Sequence, residues 1–113
     1  MSRSDQRAQR ARERIAEIRR LILAMEEICS GTLTRRMTTC GNPNCRCARG
    51  ERHGPYVRWG HMVKGRLVQR WLSPEEALRF TVANKSYREL KRLLRAWERE
   101  SITLLEDPER SKS

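Results

Sequence analysis

Between Cys40 and Tyr56 the chain reads C-G-N-P-N-C-R-C-A-R-G-E-R-H-G-P-Y. A stretch of this kind cannot fold by burying itself. Residues 38–55 offer almost nothing apolar, and ordering each residue costs roughly 1–2 kcal/mol of conformational entropy. The same stretch holds three of the four cysteines and one of the two histidines. A bound metal ion supplies what a missing core cannot. Zinc takes four thiolate or imidazole ligands in a tetrahedron. Cys40 and Cys45 flank Gly41-Asn42-Pro43-Asn44, a run of turn formers that folds the chain back on itself. Cys47 follows after one residue and His53 after five more, which gives C-x4-C-x-C-x5-H. We read Cys40, Cys45, Cys47 and His53 as ligands of one structural Zn2+. A disulfide between Cys45 and Cys47 would be strained across a single intervening residue. Cys29 and His61 are the alternatives for the fourth position, although helix and strand packing respectively account for them.

The chain has 113 residues, enough for one small domain with helical arms. At 37% hydrophobic and 35% charged it suits solvated helices better than a thick core. The formal charge is +11, and its distribution says more than its total. Residues 1–30 are net +2 and residues 74–113 net +1, whereas 31–73 carry nine basic residues against Glu51 alone. The flanks read as self-balanced helical surfaces and the centre as a concentrated positive field that attracts polyanions. No segment approaches the roughly 20 apolar residues that span a bilayer, and the N-terminus lacks the apolar run of a secretory signal. A cytoplasmic protein without membrane association is expected, with its thiols reduced.

Four segments follow in order. Residues 1–30 form an amphipathic helix with a frayed start. Ala8, Ala11, Ile15, Ile18, Ile22, Met25 and Cys29 recur at steps of three and four, so the helix runs from about Ala8 to Cys29, with Gly31 as its stop. Residues 31–73 hold the knuckle and a β-hairpin, preceded by a short strand over 31–39. Tyr56–Val63 and Arg66–Leu72 are rich in β-formers and are separated by Lys64-Gly65, a two-residue hairpin turn. That loop length pairs Val63 with Arg66, His61 with Val68, Trp59 with Arg70 and Val57 with Leu72. Both ribbon faces are half apolar, so one packs on helices while the other presents aromatic and arginine side chains. Residues 74–107 form a long helix, opened by Ser73 as N-cap, Pro74 at the first position and Glu76 closing a capping box. Phe80, Ala83, Tyr87, Leu90, Leu94, Trp97, Ser101 and Leu104 are its seam. Residues 108–113 are a disordered tail. The fold class is α+β: a small zinc-stapled hairpin flanked by two long amphipathic helices with coiled-coil-like seams. Those seams pack on each other, in a homodimer, or on a larger protein.

The block Cys40-Gly41-x-Pro43-Asn44-Cys45-Arg46-Cys47, followed by His53-Gly54-Pro55-Tyr56, resembles the signature of an uncharacterised group of short bacterial proteins. That group has a central C-G-K-P-x-C-x-C…H-G-P-Y block, then a β-rich segment and a C-terminal helix. The match covers about residues 38–97. Position 42 is asparagine where the group usually has lysine, and Trp59-Gly60-His61 departs from its usual aromatic-serine run. The resemblance implies a zinc site and a setting near transposases and other mobile elements.

The function expected is a zinc-stabilised nucleic-acid-binding accessory protein, with DNA favoured over RNA, acting beside a recombinase or transposase. The candidate contacts are Arg35, Arg36, Arg46, Arg49, Arg52, Arg58, Lys64, Arg66 and Arg70, with Trp59 or Tyr56 available to stack or wedge between bases. Enzymatic catalysis is not expected. A hydrolytic site needs carboxylates or an open metal position, and the basic centre offers only Glu51. The alternative is a helical adaptor or regulatory subunit in which the zinc site is purely structural.

Overall fold

The structure is a computed structural model and describes residues 2–38 and 53–106. Its elements are α1 (Arg3–Leu23), β1 (Thr32–Thr38), β2 (His53–Val63), β3 (Arg66–Leu72) and α2 (Pro74–Leu105). Two helices and one three-stranded antiparallel sheet make an α+β chain. Contacts divide it into a helical unit, Met1–Glu27 with Ser86–Ser113, and a sheet unit, Ile28–Lys85.

In the helical unit α1 begins at Arg3, five residues before the apolar stripe does. Ser2 is the reason: its hydroxyl accepts the Asp5 N–H at 3.1 Å, and the Asp5 carboxylate accepts the Ser2 N–H at 3.4 Å. This capping box satisfies donors that would otherwise let the start fray. The stripe buries Ala11 (1% exposed) and Ile18. Along the part of α2 that belongs to this unit the buried position is Leu93, at 2% exposure, while Leu94 is 50% exposed, where the heptad reading placed the seam. Arg14 on α1 reaches Glu100 on α2 at 3.0 Å. The two segments therefore pack on each other within one chain.

The helix α1 stops at Leu23 rather than Cys29. The Ala24 and Met25 amides close its last turn on carbonyls of Arg20 and Ile22. In the sheet unit, Cys29 is then drawn out of helical pattern by tertiary hydrogen bonds. Its N–H donates to the Ala83 carbonyl at 3.1 Å. The Asn84 side-chain amide donates to the carbonyls of Cys29 and Gly31, both at 3.0 Å. The Trp59 indole N–H donates to Ser30 at 2.7 Å. Gly31 does not end a helix; it leads into β1 at φ +100°, and a Cβ there would fall on the Gly60 carbonyl and 2.7 Å from the Trp59 indole nitrogen. No other residue fits that approach.

The strand order is β1-β2-β3. The β2–β3 register pairs Val63 with Arg66, His61 with Val68, Trp59 with Arg70 and Val57 with Leu72, as the two-residue loop dictates. Lys64 and Gly65 both take positive φ, 49° and 81°, the backbone of a type I′ hairpin turn. β1 adds a third strand on the far side of β2, with Thr32 opposite Gly60 and Arg36 opposite Tyr56. That register slips by one between Arg36 and Thr38, where β2 carries Gly54-Pro55. Proline has no N–H for a ladder, so a proline in a central strand belongs at a bulge. One face of the sheet packs on the first turns of α2, where Val57, Leu72 and Ala77 form the core with Leu33, Trp59 and Phe80 against them. The α2 start is as read from sequence: Ser73 and Glu76 exchange side chain-to-backbone hydrogen bonds, both 3.1 Å.

Candidate nucleic-acid interface

Residues directly opposite in an antiparallel sheet share a face. The register thus sorts the basic residues of the sheet unit into two groups. Arg35, Arg66 and Arg70 fall on the face that carries Val57, Trp59 and Leu72 toward α2. Arg36 and Arg58 fall on the outward face with Tyr56, Met62, Leu67 and Trp71. Lys64 sits at the hairpin tip.

On the helix-side face Arg70 and Trp59 are engaged. Arg70 forms an ion pair with Glu76 and lies 5.9 Å from the centre of the Phe80 ring. Glu76 is held below the ordinary carboxylate range, first by the Ser73 N–H and then by the Arg70 charge. Trp59 donates its indole N–H to Ser30, meets Phe80 edge-on at 5.0 Å and stacks on His61 at 3.7 Å. Its ring is thus built into the unit. The His61 Nδ1 is buried without a hydrogen-bond partner.

The outward face is arranged differently. The Arg58 guanidinium lies 5.5 Å above the Trp71 ring, and Tyr56 meets Trp71 edge-on at 6.2 Å and 76°. Trp71 is 55% exposed, and Tyr56 and Met62 are exposed as well. A guanidinium over an exposed indole is worth about 0.5–1 kcal/mol. Arg36, Tyr56, Arg58 and Trp71 therefore share one face, in the half of the sheet away from the hairpin tip. Trp71 was not singled out from the sequence, although the hairpin register already places it opposite Arg58. Leu67 and Met62 lie toward the hairpin tip of the same face.

Three of the four residues read as metal ligands, Cys40, Cys45 and Cys47, lie outside the described residues, as do Arg46, Arg49, Glu51 and Arg52. His53 is the first residue of β2 and pairs with Thr38, the last of β1. The strand pair closes a neck from which the 39–52 segment departs, and Cys40 follows Thr38 by two residues. Cys29 and His61 lie away from that neck. Both adjoin the Thr32 end of β1, about 20 Å from Thr38 at 3.3 Å per residue. Burial raises the Cys29 thiol above its ordinary pKa, which disfavours the thiolate a metal needs. Among the described residues no group of three or more His, Cys, Asp or Glu side chains is placed to hold a metal, and no helix is long and apolar enough to cross a membrane.

The family described as Domain of unknown function (DUF6788) matches residues 5–79, and the chain belongs to it. The match takes in α1 from its third residue, the whole sheet and the first six residues of α2. No curated protein and no solved structure matches the chain.

Proposed function

We propose that the chain is a nucleic-acid-binding accessory protein whose outward sheet face stacks bases and holds phosphates. The observation that carries this reading is the exposed cluster of Arg58 over Trp71, with Tyr56 and Arg36 beside it. Exposed aromatics stack bases without regard to sequence, and interleaved arginines take the backbone. The cluster lies at the end of the sheet from which the segment bearing Arg46, Arg49 and Arg52 departs, so both sets of charges serve one strand.

Cys40, Cys45, Cys47 and His53 hold one structural zinc in this proposal, which supplies the folding energy that the apolar-poor segment lacks. The closed neck between Thr38 and His53 supports it, as does the thiolate and imidazole chemistry of the set. DNA is favoured over RNA, and the setting beside a recombinase or transposase follows the resemblance noted above; the cytoplasmic setting follows the sequence reading of export and membrane signals. The chain binds rather than catalyses, so Glu51→Gln leaves nucleic-acid binding intact.

The test is oligonucleotide binding as a function of salt, with metal measured on the same preparation. If about six phosphates are neutralised, log K falls with log salt at a slope of about −5. Arg36→Glu with Arg58→Glu flattens that slope and weakens binding. One equivalent of zinc is expected, and chelation abolishes binding. A slope near zero in the unmodified chain would sink the proposal.

A second reading has its own observation. Leu78 and Val82 lie one turn apart on α2 and are 69% and 65% exposed, as an adaptor helix would present them. In that case the charge reversals leave a protein partner bound and oligonucleotide affinity unchanged.

A further inference from the structure

Arg3, Arg7, Arg10 and Arg14 recur along α1 at steps of four, three and four, which places them on one face of the helix. With Arg99 and Glu100 of α2 they line a groove of about 590 Å³ that lies wholly within the helical unit. The groove holds five guanidinium groups and one carboxylate, and that carboxylate, Glu100, is taken by Arg14 at 3.0 Å. Among the described residues the guanidinium groups of Arg3, Arg7, Arg10 and Arg99 have no ion pair or hydrogen bond.

This arrangement opposes the stability of the helix that carries it. Like charges three or four residues apart repel. Arg3 and Arg7 also sit in the first turns, where the positive end of the helix dipole favours anions. Local choices that conflict with folding mark places where something other than folding is served. At 1.5 Å per residue the four arginines of α1 stand about 5 Å apart along a row of about 16 Å. A single small anion spans one step of such a row; a chain of anions spans it all.

We infer that this groove seats a linear chain of phosphate groups, bound by Arg3, Arg7, Arg10 and Arg99. Guanidinium forks donate in pairs to the non-bridging oxygens of such a chain, whether the chain is a nucleic-acid strand or inorganic polyphosphate. Assignment to a nucleic-acid strand rests on the sheet-face reading above; the groove itself does not.

The experiment is calorimetric titration and thermal unfolding of the full chain with inorganic tripolyphosphate. It compares Arg7→Ala/Arg10→Ala with the charge-matched pair Arg19→Ala/Arg88→Ala, both exposed and outside the groove. Tripolyphosphate is expected to stabilise the unmodified chain and the Arg19/Arg88 pair alike, and to bind the Arg7/Arg10 pair at least about tenfold more weakly, two guanidinium contacts being lost. Without ligand the Arg7/Arg10 pair is expected to melt about 1–3 °C higher, because repulsion is relieved, and this separates a binding defect from misfolding. Absence of stabilisation in the unmodified chain, or equal losses in both pairs, would overturn the inference. A single-stranded oligonucleotide that displaces tripolyphosphate identifies the nucleic-acid source; one that does not leaves the groove as a polyphosphate site. Arg58→Glu/Trp71→Ala is expected to bind tripolyphosphate normally, so failure of the sheet-face reading and failure of the groove are read separately.

Discussion

In the sheet unit Arg70 reaches Glu76 and Arg58 lies over Trp71, whereas in the helical unit Arg3, Arg7, Arg10 and Arg99 share a groove with one already engaged carboxylate. Arg58 and Arg70 are held against neighbours that fix their direction. The guanidinium groups of Arg3, Arg7, Arg10 and Arg99 line up without an ion pair among the described residues. Anchored charge presents a defined surface at modest electrostatic cost, and unanchored charge lowers the stability of its own helix until an anion arrives. The same residue type thus stands in two different surroundings in one chain, and regional net charge does not distinguish them.

The contrast can be broken first at the sheet unit, where the largest effects lie. Asn84 is 5% exposed and holds two carbonyls, so Asn84→Ala leaves both unpaired and is expected to cost about 2–5 kcal/mol by urea denaturation. Gly31→Ala is expected to cost about 2–4 kcal/mol, since its Cβ meets backbone and the positive φ becomes strained. A loss below about 1 kcal/mol in both would mean that the 28–31 segment is not tied to α2 as described. A smaller effect is expected at the α2 start, where Ser73→Ala removes the N-cap acceptor and costs about 1 kcal/mol. In the helical unit the sign reverses: Arg7→Ala with Arg10→Ala is expected to stabilise by about 0.5 kcal/mol.

The smallest effect is one of pH. The folded-state pKa of Glu76 is depressed, so its stabilising contribution is present above the ordinary carboxylate pKa and is lost as pH falls through the lower folded value. Acid titration followed at the α2 N-terminus is expected to show that loss, and Glu76→Gln is expected to remove this step from the titration. An unchanged acid titration in the variant would detach Glu76 from its two partners.

Much of the sheet unit was legible because its determinants are local. Lys64-Gly65 sets a two-residue loop, and that loop alone sets the register from Val63–Arg66 to Val57–Leu72. Ser73, Pro74 and Glu76 lie within four residues of each other and announce their helix. What the sequence hid depends on distant partners. The apolar stripe continues through Met25 to Cys29, but Ala83 and Asn84, more than fifty residues on, claim the backbone of 29–31. Trp59 reads as an available aromatic until its bonds to Ser30, His61 and Phe80 are seen. The arginine row of α1 was present in the spacing 3-7-10-14, one position ahead of the apolar stripe. It was concealed by counting charge over 1–30 as a sum, in which five acidic residues offset most of it.

The most direct measurement is oligonucleotide affinity of Trp71→Ala beside Leu78→Ala. Both remove exposed apolar side chains of the sheet unit, but only Trp71 lies on the outward face with Arg58. Loss of one stacking platform is expected to weaken binding by about 1–3 kcal/mol, roughly 5- to 150-fold, in Trp71→Ala and to leave Leu78→Ala unchanged. Equal affinity of Trp71→Ala and the unmodified chain, with folding intact in both, would contradict the assignment of that face.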